Sequence, residues 1–329
     1  MFVSPFVPMS VPLETTESIV ETRVATFDRI EGKPRVALLD GLPFANHDML
    51  RGRLLIDDPD GLGDNYPVAA RHHGTAMASL IVRGDLSADD RPLDRPLYVR
   101  PILQPHEFRP DSEQVVPDRL LTDLLHRAIR RIVVGEGGSK AVAPSVRIVN
   151  PSIGVPSRAL TSRMSPVGRL LGWLAVSYNL LFVVSAGNHT DDFTIPADAA
   201  RNAETARSAA TQLSFQTSLL RGILPPGDAL NALTVGATHA DNFGTVEASH
   251  TVWDITYPDA PAHYGAVGPG VDRSVKPDLH HMGGRALYMR PVVAPGQTEV
   301  PLRLANTALP GPGLQVVAPD SSGATNRAV

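Results

Sequence analysis

Short apolar runs alternate with longer amphipathic stretches along most of the chain. Continuous apolar runs that stop at polar or small residues are typical of strands buried on both faces. They predict strands at 35–39, 97–103, 146–149, 180–184 and 232–235. The stretches between them predict helices at 74–82, 117–135, 166–178 and 203–220. Asn179, directly after the third helix, suits a left-handed helix stop.

Strand followed by helix, repeated several times, predicts an α/β protein with three layers. Its centre would be a mainly parallel sheet with helices on both faces. In such sheets the polar residues that perform chemistry collect at the carboxyl ends of the strands. Three predicted strand ends carry polar or small residues of this kind: Asp40, 150–154 and 185–188. These segments are therefore the candidate site.

Composition narrows the class of protein. The chain has 329 residues, of which 43% are hydrophobic, enough for a sizeable core. Its net charge of -4 gives no basic surface, so no nucleic-acid partner is expected. Because the chain contains no cysteine, disulfides and thiolate chemistry are excluded.

Neither a membrane span nor an export signal is expected. The longest apolar run, 170–186, is interrupted by Gly172 and Asn179, whereas a membrane helix needs about 20 predominantly apolar residues. The first 16 residues lack a basic start and contain three prolines, so they make a poor signal peptide. Cytoplasmic localisation is the resulting expectation.

Asp40 ends the apolar run VALL and precedes Gly41. An Asp at this place can be a turn residue, a phosphoryl acceptor, a metal ligand, or the carboxylate that orients a catalytic histidine. A phosphatase-like site would have a second Asp two residues further on, where this chain has Leu42. That difference favours the orienting role.

His73 lies at the start of a predicted helix and is followed by Gly74, Thr75 and Ala76. Such small residues allow the helix to pack closely on the sheet, so that the imidazole faces the strand ends. His72, its neighbour, has no such argument and is interpreted as an ordinary surface or core residue.

Two further strand ends suit a peptide ligand. Asn188 is either a turn residue or an amide donor aimed at a developing oxyanion, the negatively charged oxygen of a transition state. The segment 150–154 contains a glycine and offers a flat edge to which an extended peptide can add as a strand.

Together and in order, these segments resemble the subtilisin-like serine peptidase (subtilase, S8-type) family. His73 follows Asp40 by 33 residues, a spacing typical of that family. The resemblance extends over about 36–278, most of the chain, and its most specific parts are HGT and SAGN. The segments that carry it are VALLDG, HGTAMA, Ser-Ile-Gly at 152–154, Ser-Ala-Gly-Asn at 185–188, NALTVGA at 231–237 and SVKPD at 274–278.

The resemblance implies a role for each matching residue. His73 would be the general base, Asp40 would orient it and stabilise its imidazolium, and Asn188 would donate to the oxyanion. Two segments would form the walls of the substrate pocket: Ser152, Ile153 and Gly154, and Ser185, Ala186 and Gly187. No cofactor and no catalytic metal is implied. Calcium sites are common in the family, but no acidic cluster is assigned to one here.

The chain departs from the family in two places. The nucleophile motif Gly-Thr-Ser-x-Ala is not found in residues 1–329. The ending GLQVVAPDSSGATNRAV is interpreted as the strand and loop that lead to it, so the serine is expected beyond Val329. A degenerate nucleophile at Thr325 or Asn326, or a displaced serine, stays open. The Pro-rich segment around 280–312 is interpreted as an insertion, and its pair His280–His281 is not expected to bind metal.

The resulting interpretation has residues 1–34 as an N-terminal extension. Residues 35–329 would form a subtilisin-like peptidase domain that is incomplete at its C-terminus. Its expected activity is serine-type endopeptidase cleavage of peptide or protein substrates, with this chain as given inactive because the serine is absent or lies further on. The alternatives are a catalytically inactive peptide-binding module and a phosphoryl- or metal-dependent hydrolase centred on Asp40 and His73.

Overall fold

A computed structural model gives the fold and describes residues 30–88, 90–155, 159–160, 163–189, 193–244, 251–305, 312–320 and 326–328. The α-helices are α1 (His72–Arg83), α2 (Leu121–Val133), α3 (Pro166–Tyr178) and α4 (Ala203–Gln216). The strands are β1 (Val36–Asp40), β2 (Leu54–Ile56), β3 (Leu97–Pro101), β4 (Leu103–His106), β5 (Arg109–Val115), β6 (Ile148–Pro151), β7 (Leu181–Ser185), β8 (Phe193–Pro196), β9 (Ala232–Thr238), β10 (Val252–Trp253), β11 (Leu279–Met282), β12 (Tyr288–Met289), β13 (Glu299–Leu302), β14 (Gln315–Val317) and β15 (Asn326–Ala328).

Seven strands form one sheet in the order β11-β9-β7-β6-β1-β3-β2, and every neighbouring pair in it is parallel. The predicted α/β class with a parallel sheet is therefore confirmed. Strand β1 lies inside the sheet, where Asp40 is level with Pro101 of β3 and Leu39 with Pro151 of β6. The strand order thus brings the ends of β1 and β6 together at one edge.

Helices cover both faces of the sheet because β1 is apolar on both sides. Ala37 and Leu39 point to the side on which α2 and α3 pack, and Leu38 points to the side of α1. Successive side chains on a strand alternate between faces, so a strand buried on both faces needs an unbroken apolar run. This requirement explains why VALL could be recognised as a strand.

Most helix bounds agree with the sequence prediction, and the differences have local causes. Helix α3 begins as predicted at Pro166, because the Ser165 side chain accepts from the Gly168 amide, and it ends at Asn179 with φ of 50°. Helix α2 begins at Leu121 rather than at Pro117. The four preceding residues form a turn, with Arg119 N donating to Val116 O.

The segment interpreted as an insertion begins within the main sheet. Residues 279–282 form β11, the edge strand next to β9, so His280 and His281 lie on that strand. Neighbouring residues of a strand point to opposite faces, which separates the two rings. Further along, β12 pairs with β10 and β13 pairs with β8 in two small antiparallel sheets. The insertion itself stays a prediction.

In the part of the chain that the structure describes, no helix is long and apolar enough to cross a membrane.

Candidate active site

Asp40 is the last residue of β1, and its side chain is completely buried. One carboxylate oxygen, Oδ1, accepts from the Gly41 amide at 2.6 Å and lies 2.8 Å from Nδ1 of His73. Because a carboxylate only accepts hydrogen bonds, His73 Nδ1 carries the proton and Nε2 is the acceptor nitrogen of the ring. The other oxygen, Oδ2, is buried and has no hydrogen-bond partner among the described residues.

His73 is held against Asp40 by the close approach of α1 to the end of β1. Gly74 lies directly on the Gly41 carbonyl group, where a Cβ atom would overlap the Gly41 carbon at 2.8 Å. The Thr75 hydroxyl accepts from the Phe44 amide at 2.9 Å and fixes the helix start to the loop after β1. The small residues of the HGT motif are thus needed for the approach, as the sequence indicated.

A cleft of about 690 Å³ opens in front of His73 at this edge of the sheet. The side chain of His73 is 26% exposed, so its ring connects buried Asp40 to the cleft. All the other residues predicted for the site also line the cleft: Ser152, Ile153, Gly154, Ser185, Ala186, Gly187 and Asn188. Asp40 lies behind His73, outside the cleft.

The backbone around Asn188 is fixed by neighbouring loops. Asn188 forms an isolated antiparallel bridge with Gly265, and the next amide, His189 N, donates to Tyr264 O at 2.7 Å. Asn188 is half-buried and lines the same cleft as His73. An amide donor and a histidine acceptor therefore border one space, as oxyanion stabilisation and proton transfer require.

A third segment, 223–225, joins the two predicted pocket walls and was missed by sequence reasoning. Leu224 N donates to Ala186 O, and Val155 N donates to Pro225 O, each at 2.9 Å. The Leu224 side chain packs on Gly187, where an added Cβ would lie 2.5 Å from Leu224 Cβ. These bonds make Leu224 the floor between the walls. No pattern in the sequence marks this segment, because it is an ordinary apolar stretch before two prolines.

Glu113 on β5 is a second residue that sequence reasoning missed. Its side chain is buried, lines the cleft, and accepts a hydrogen bond from the hydroxyl of buried Tyr66. Burial, together with the negative charge of Asp40, raises the pKa of Glu113 to about 7. The hairpin that carries Glu113 has a polar sequence, QPHEFRPDSEQ, which gives no sign of a buried position.

Asp40, His73 and Glu113 are close enough to contact one cation, with nitrogen and oxygen atoms within 4.8 Å of one another. However, one atom of each is already used in a hydrogen bond: Asp40 Oδ1 with His73 Nδ1, and Glu113 Oε1 with the Tyr66 hydroxyl. The arrangement favours a hydrogen-bonded chain over cation binding.

The Lys-Pro-Asp segment is bonded to strand β9 of the sheet. Lys276 is buried, and its ammonium donates to Ala232 O, Thr234 Oγ1 and Asp278 Oδ2 at 2.8, 2.9 and 2.7 Å. The Asp278 carboxylate in turn accepts from Thr234 N. The motif thus fastens the approach to β11 to strand β9.

The fold and the site define an α/β protein with an Asp–His pair at the carboxyl edge of a parallel sheet. The model of the Subtilase family matches residues 33–325, nearly the whole chain. The chain therefore belongs to the subtilase family of serine-type peptidases, which act on peptide or protein substrates. Among curated protein sequences none matches it.

Several solved structures are similar to the chain. The prenylagaramide maturation protease PagA is 17% identical, with a TM-score of 0.42, over 84% of this chain and 72% of that chain. The patellamide maturation protease PatA is 18% identical, with a TM-score of 0.39, over 84% of this chain and 73% of that chain. The subtilisin-like protease Apa1 from the Antarctic psychrotroph Pseudoalteromonas sp. AS-11 is 13% identical, with a TM-score of 0.42. The match covers 80% of this chain and 46% of that chain.

Proposed function

We propose that the protein is a serine endopeptidase of the subtilisin type that hydrolyses peptide bonds in peptide or protein substrates. The observation that carries the proposal is the bond of 2.8 Å between Asp40 Oδ1 and His73 Nδ1, with the His73 ring edge open to a cleft that Asn188 also lines. Because the chain belongs to a family of serine-type peptidases, peptide-bond hydrolysis is the reaction that we propose for this pair.

In the proposed mechanism His73 Nε2 removes the proton of a serine hydroxyl as that oxygen attacks the peptide carbonyl. Asp40 keeps the proton on Nδ1 and stabilises the imidazolium that forms. The side-chain amide of Asn188 donates to the negatively charged oxygen of the tetrahedral intermediate. His73 then gives the proton to the leaving amine, and a water molecule, activated by His73 in the same way, releases the acyl group.

The proposed substrate binds as an extended chain along the cleft. The segments 152–154 and 185–187 form the walls on either side of the substrate residue that precedes the scissile bond, and Leu224 closes the space between them. The lining is apolar at this point, with Leu224 packed on Gly187. An apolar side chain of moderate size is therefore the expected preference.

Residues 1–329 contain no Gly-Thr-Ser-x-Ala motif, so the proposed nucleophilic serine has to be located by experiment. The full-length protein is treated with a fluorophosphonate, and the modified residue is located by peptide mapping. We expect one labelled serine, no label in His73→Ala, and normal label in His126→Ala, a control on helix α2 outside the cleft. Labelling that persists in His73→Ala contradicts the proposed base.

The alternative function is a peptide-binding module without catalysis. In that case peptides bind the cleft of the full-length protein, but no serine is labelled and no peptide is cleaved. Hydrolysis that is abolished by a chelator and restored by a divalent cation would instead support metal-dependent chemistry at Asp40 and His73.

A further inference from the structure

Glu113 brings a second buried carboxyl group to the Asp40–His73 pair. It lies on β5 of the β4–β5 hairpin, whose strands pair so that Glu113 is opposite Pro105. Glu113 is 5% exposed, and its side chain reaches Gly41, the residue after Asp40, so closely that a Cβ atom there would collide with Oε1. The Tyr66 hydroxyl, which also lies next to Gly41, donates to Oε1.

Asp40 needs a donor that the described residues do not supply. Its Oδ1 is satisfied by Gly41 N and His73, but its Oδ2 is buried without a partner among the described residues. Leaving a buried charged acceptor unsatisfied is unfavourable, and so is ionising two neighbouring buried carboxyl groups together. A single proton on Glu113 removes both difficulties, because it cancels one charge and provides a donor.

We propose that Glu113 is a positioning residue for the Asp40–His73 pair, and that its protonated carboxyl group donates a hydrogen bond to Asp40 Oδ2. Tyr66 donates to Glu113 Oε1, so in this proposal Oε2 carries the proton, and the carboxyl groups of Glu113 and Asp40 have oxygen atoms within 4.8 Å of each other. The chain Tyr66–Glu113–Asp40–His73 then holds the Asp40 carboxylate at both oxygens. The inference rests on the proposed peptidase function for its effect on catalysis, although the hydrogen bond itself does not.

The charge of Glu113 depends on its neighbours from each element around it. Asp40 at the end of β1 raises its pKa and His73 on α1 lowers it, while Tyr66 donates to it. On β4 the residue opposite is Pro105, and the short helix Val68–Ala70 carries no titratable group. Burial is the largest effect, and the resulting pKa of about 7 lies within the range in which a peptidase is assayed.

The direction of the pH effect follows from these charges. Below its pKa Glu113 is neutral and donates to Asp40, whereas above it Glu113 adds a second negative charge beside His73. That charge favours the imidazolium, so His73 becomes a free base only at higher pH than it would beside a neutral residue. Replacing Glu113 by a neutral donor should therefore move the acidic limb of activity to lower pH.

The test compares two substitutions in the full-length protein. Glu113→Gln keeps a donor of similar shape but cannot ionise, and Glu113→Leu keeps the bulk but removes the donor. The control is Glu107→Gln, in the exposed turn of the same hairpin. The readouts are the pH profile of kcat/KM for a peptide substrate and the low-field NMR signal of the His73 Nδ1 proton.

We expect Glu113→Gln to keep the maximal kcat/KM within about threefold and to shift the acidic limb down by about one pH unit. Glu113→Leu should lose about tenfold or more in kcat, because Asp40 Oδ2 then has no donor. Glu107→Gln should match the wild type throughout. A Glu113→Gln variant that loses tenfold or more in kcat overturns the proposal whether or not Glu113→Leu folds, and so does a folded Glu113→Leu variant with wild-type kcat.

The NMR signal separates this inference from the proposed function. The Nδ1 proton reports on the Asp40–His73 bond without requiring a serine or turnover. If no serine is labelled by fluorophosphonate but the pH midpoint of this signal shifts in Glu113→Gln, the peptidase proposal fails and the role of Glu113 stands. If labelling succeeds and neither the signal nor the activity changes in a folded Glu113→Leu variant, the role of Glu113 fails alone.

Discussion

Gly74 is the point at which the helix carrying His73 meets the end of the strand carrying Asp40. Adding one methyl group there, in Gly74→Ala, would place a Cβ atom 2.8 Å from the Gly41 carbonyl carbon and 3.2 Å from the Leu42 carbonyl carbon. Carbon atoms in good contact are about 3.5–4.0 Å apart, so the start of α1 must move by about 1 Å.

This shift has two consequences of different size. Overpacking of a tight site costs about 1–3 kcal/mol of stability. A displacement of about 1 Å at a catalytic group can lower the rate about 100-fold, because the Asp40–His73 bond of 2.8 Å is then stretched. We therefore expect Gly74→Ala to be folded but to lose about 100-fold in kcat/KM, a larger effect on activity than on stability.

The assay measures kcat/KM for a peptide substrate and urea unfolding of the same samples. Gly172→Ala is the matched control, since the same substitution in helix α3 would meet only Asn231 Nδ2, at 3.7 Å. It should keep full activity and gain about 0.5–1 kcal/mol of stability from better helix propensity. Wild-type activity in Gly74→Ala would refute the claim that the close helix approach positions His73.

Three further predictions follow from single contacts. Asn188→Ala should lower kcat about 100- to 1,000-fold with little change in KM; this range is the one attributed to the matching donor of subtilisin, a family member, rather than a value worked out from this structure. Leu224→Ala should open the pocket floor, so that peptide libraries show a shift toward larger aromatic side chains before the cut. Lys276→Met should lose about 1–3 kcal/mol in urea unfolding, because the buried acceptors on β9 lose their donor, while KM stays near the wild-type value.

The inner part of the fold could be predicted because burial on both faces leaves a visible signal. Strand β1 is an unbroken apolar run, and Asp40 at its end stands out as the first polar residue. The carboxyl ends of parallel strands meet at one edge, so the sequence order alone was enough to bring 150–154 and 185–188 near Asp40. His73 was predicted to lie near them because the small residues that follow it allow its helix to pack closely on the sheet.

The outer strands could not be predicted, because their residues bury little apolar surface. Strand β2 has three residues, two of them exposed, and every residue of β11 is exposed. An edge strand of this kind needs no apolar run, and the pair His280–His281 was interpreted as part of an insertion. Backbone pairing with β9, which the sequence does not display, is what places these residues in the sheet.

Glu113 was missed for a different reason. Its environment is made by residues from four separate parts of the chain, Asp40, Tyr66, His73 and its own hairpin, and none of them marks Glu113 in the sequence. Leu224 was missed for the same reason, since the position of its segment depends on backbone hydrogen bonds to Ala186 and to Val155. Long-range contacts of this kind appear only once the chain is folded.

The most direct test of the account is the activity of Asp40→Asn in the full-length protein. An amide at this place would favour the wrong tautomer of His73, with the proton on the nitrogen that must act as base. The account predicts that kcat/KM at neutral pH falls about 10,000-fold while peptide binding persists. Activity within tenfold of the wild type would contradict the claim that Asp40 and His73 work together as the catalytic pair.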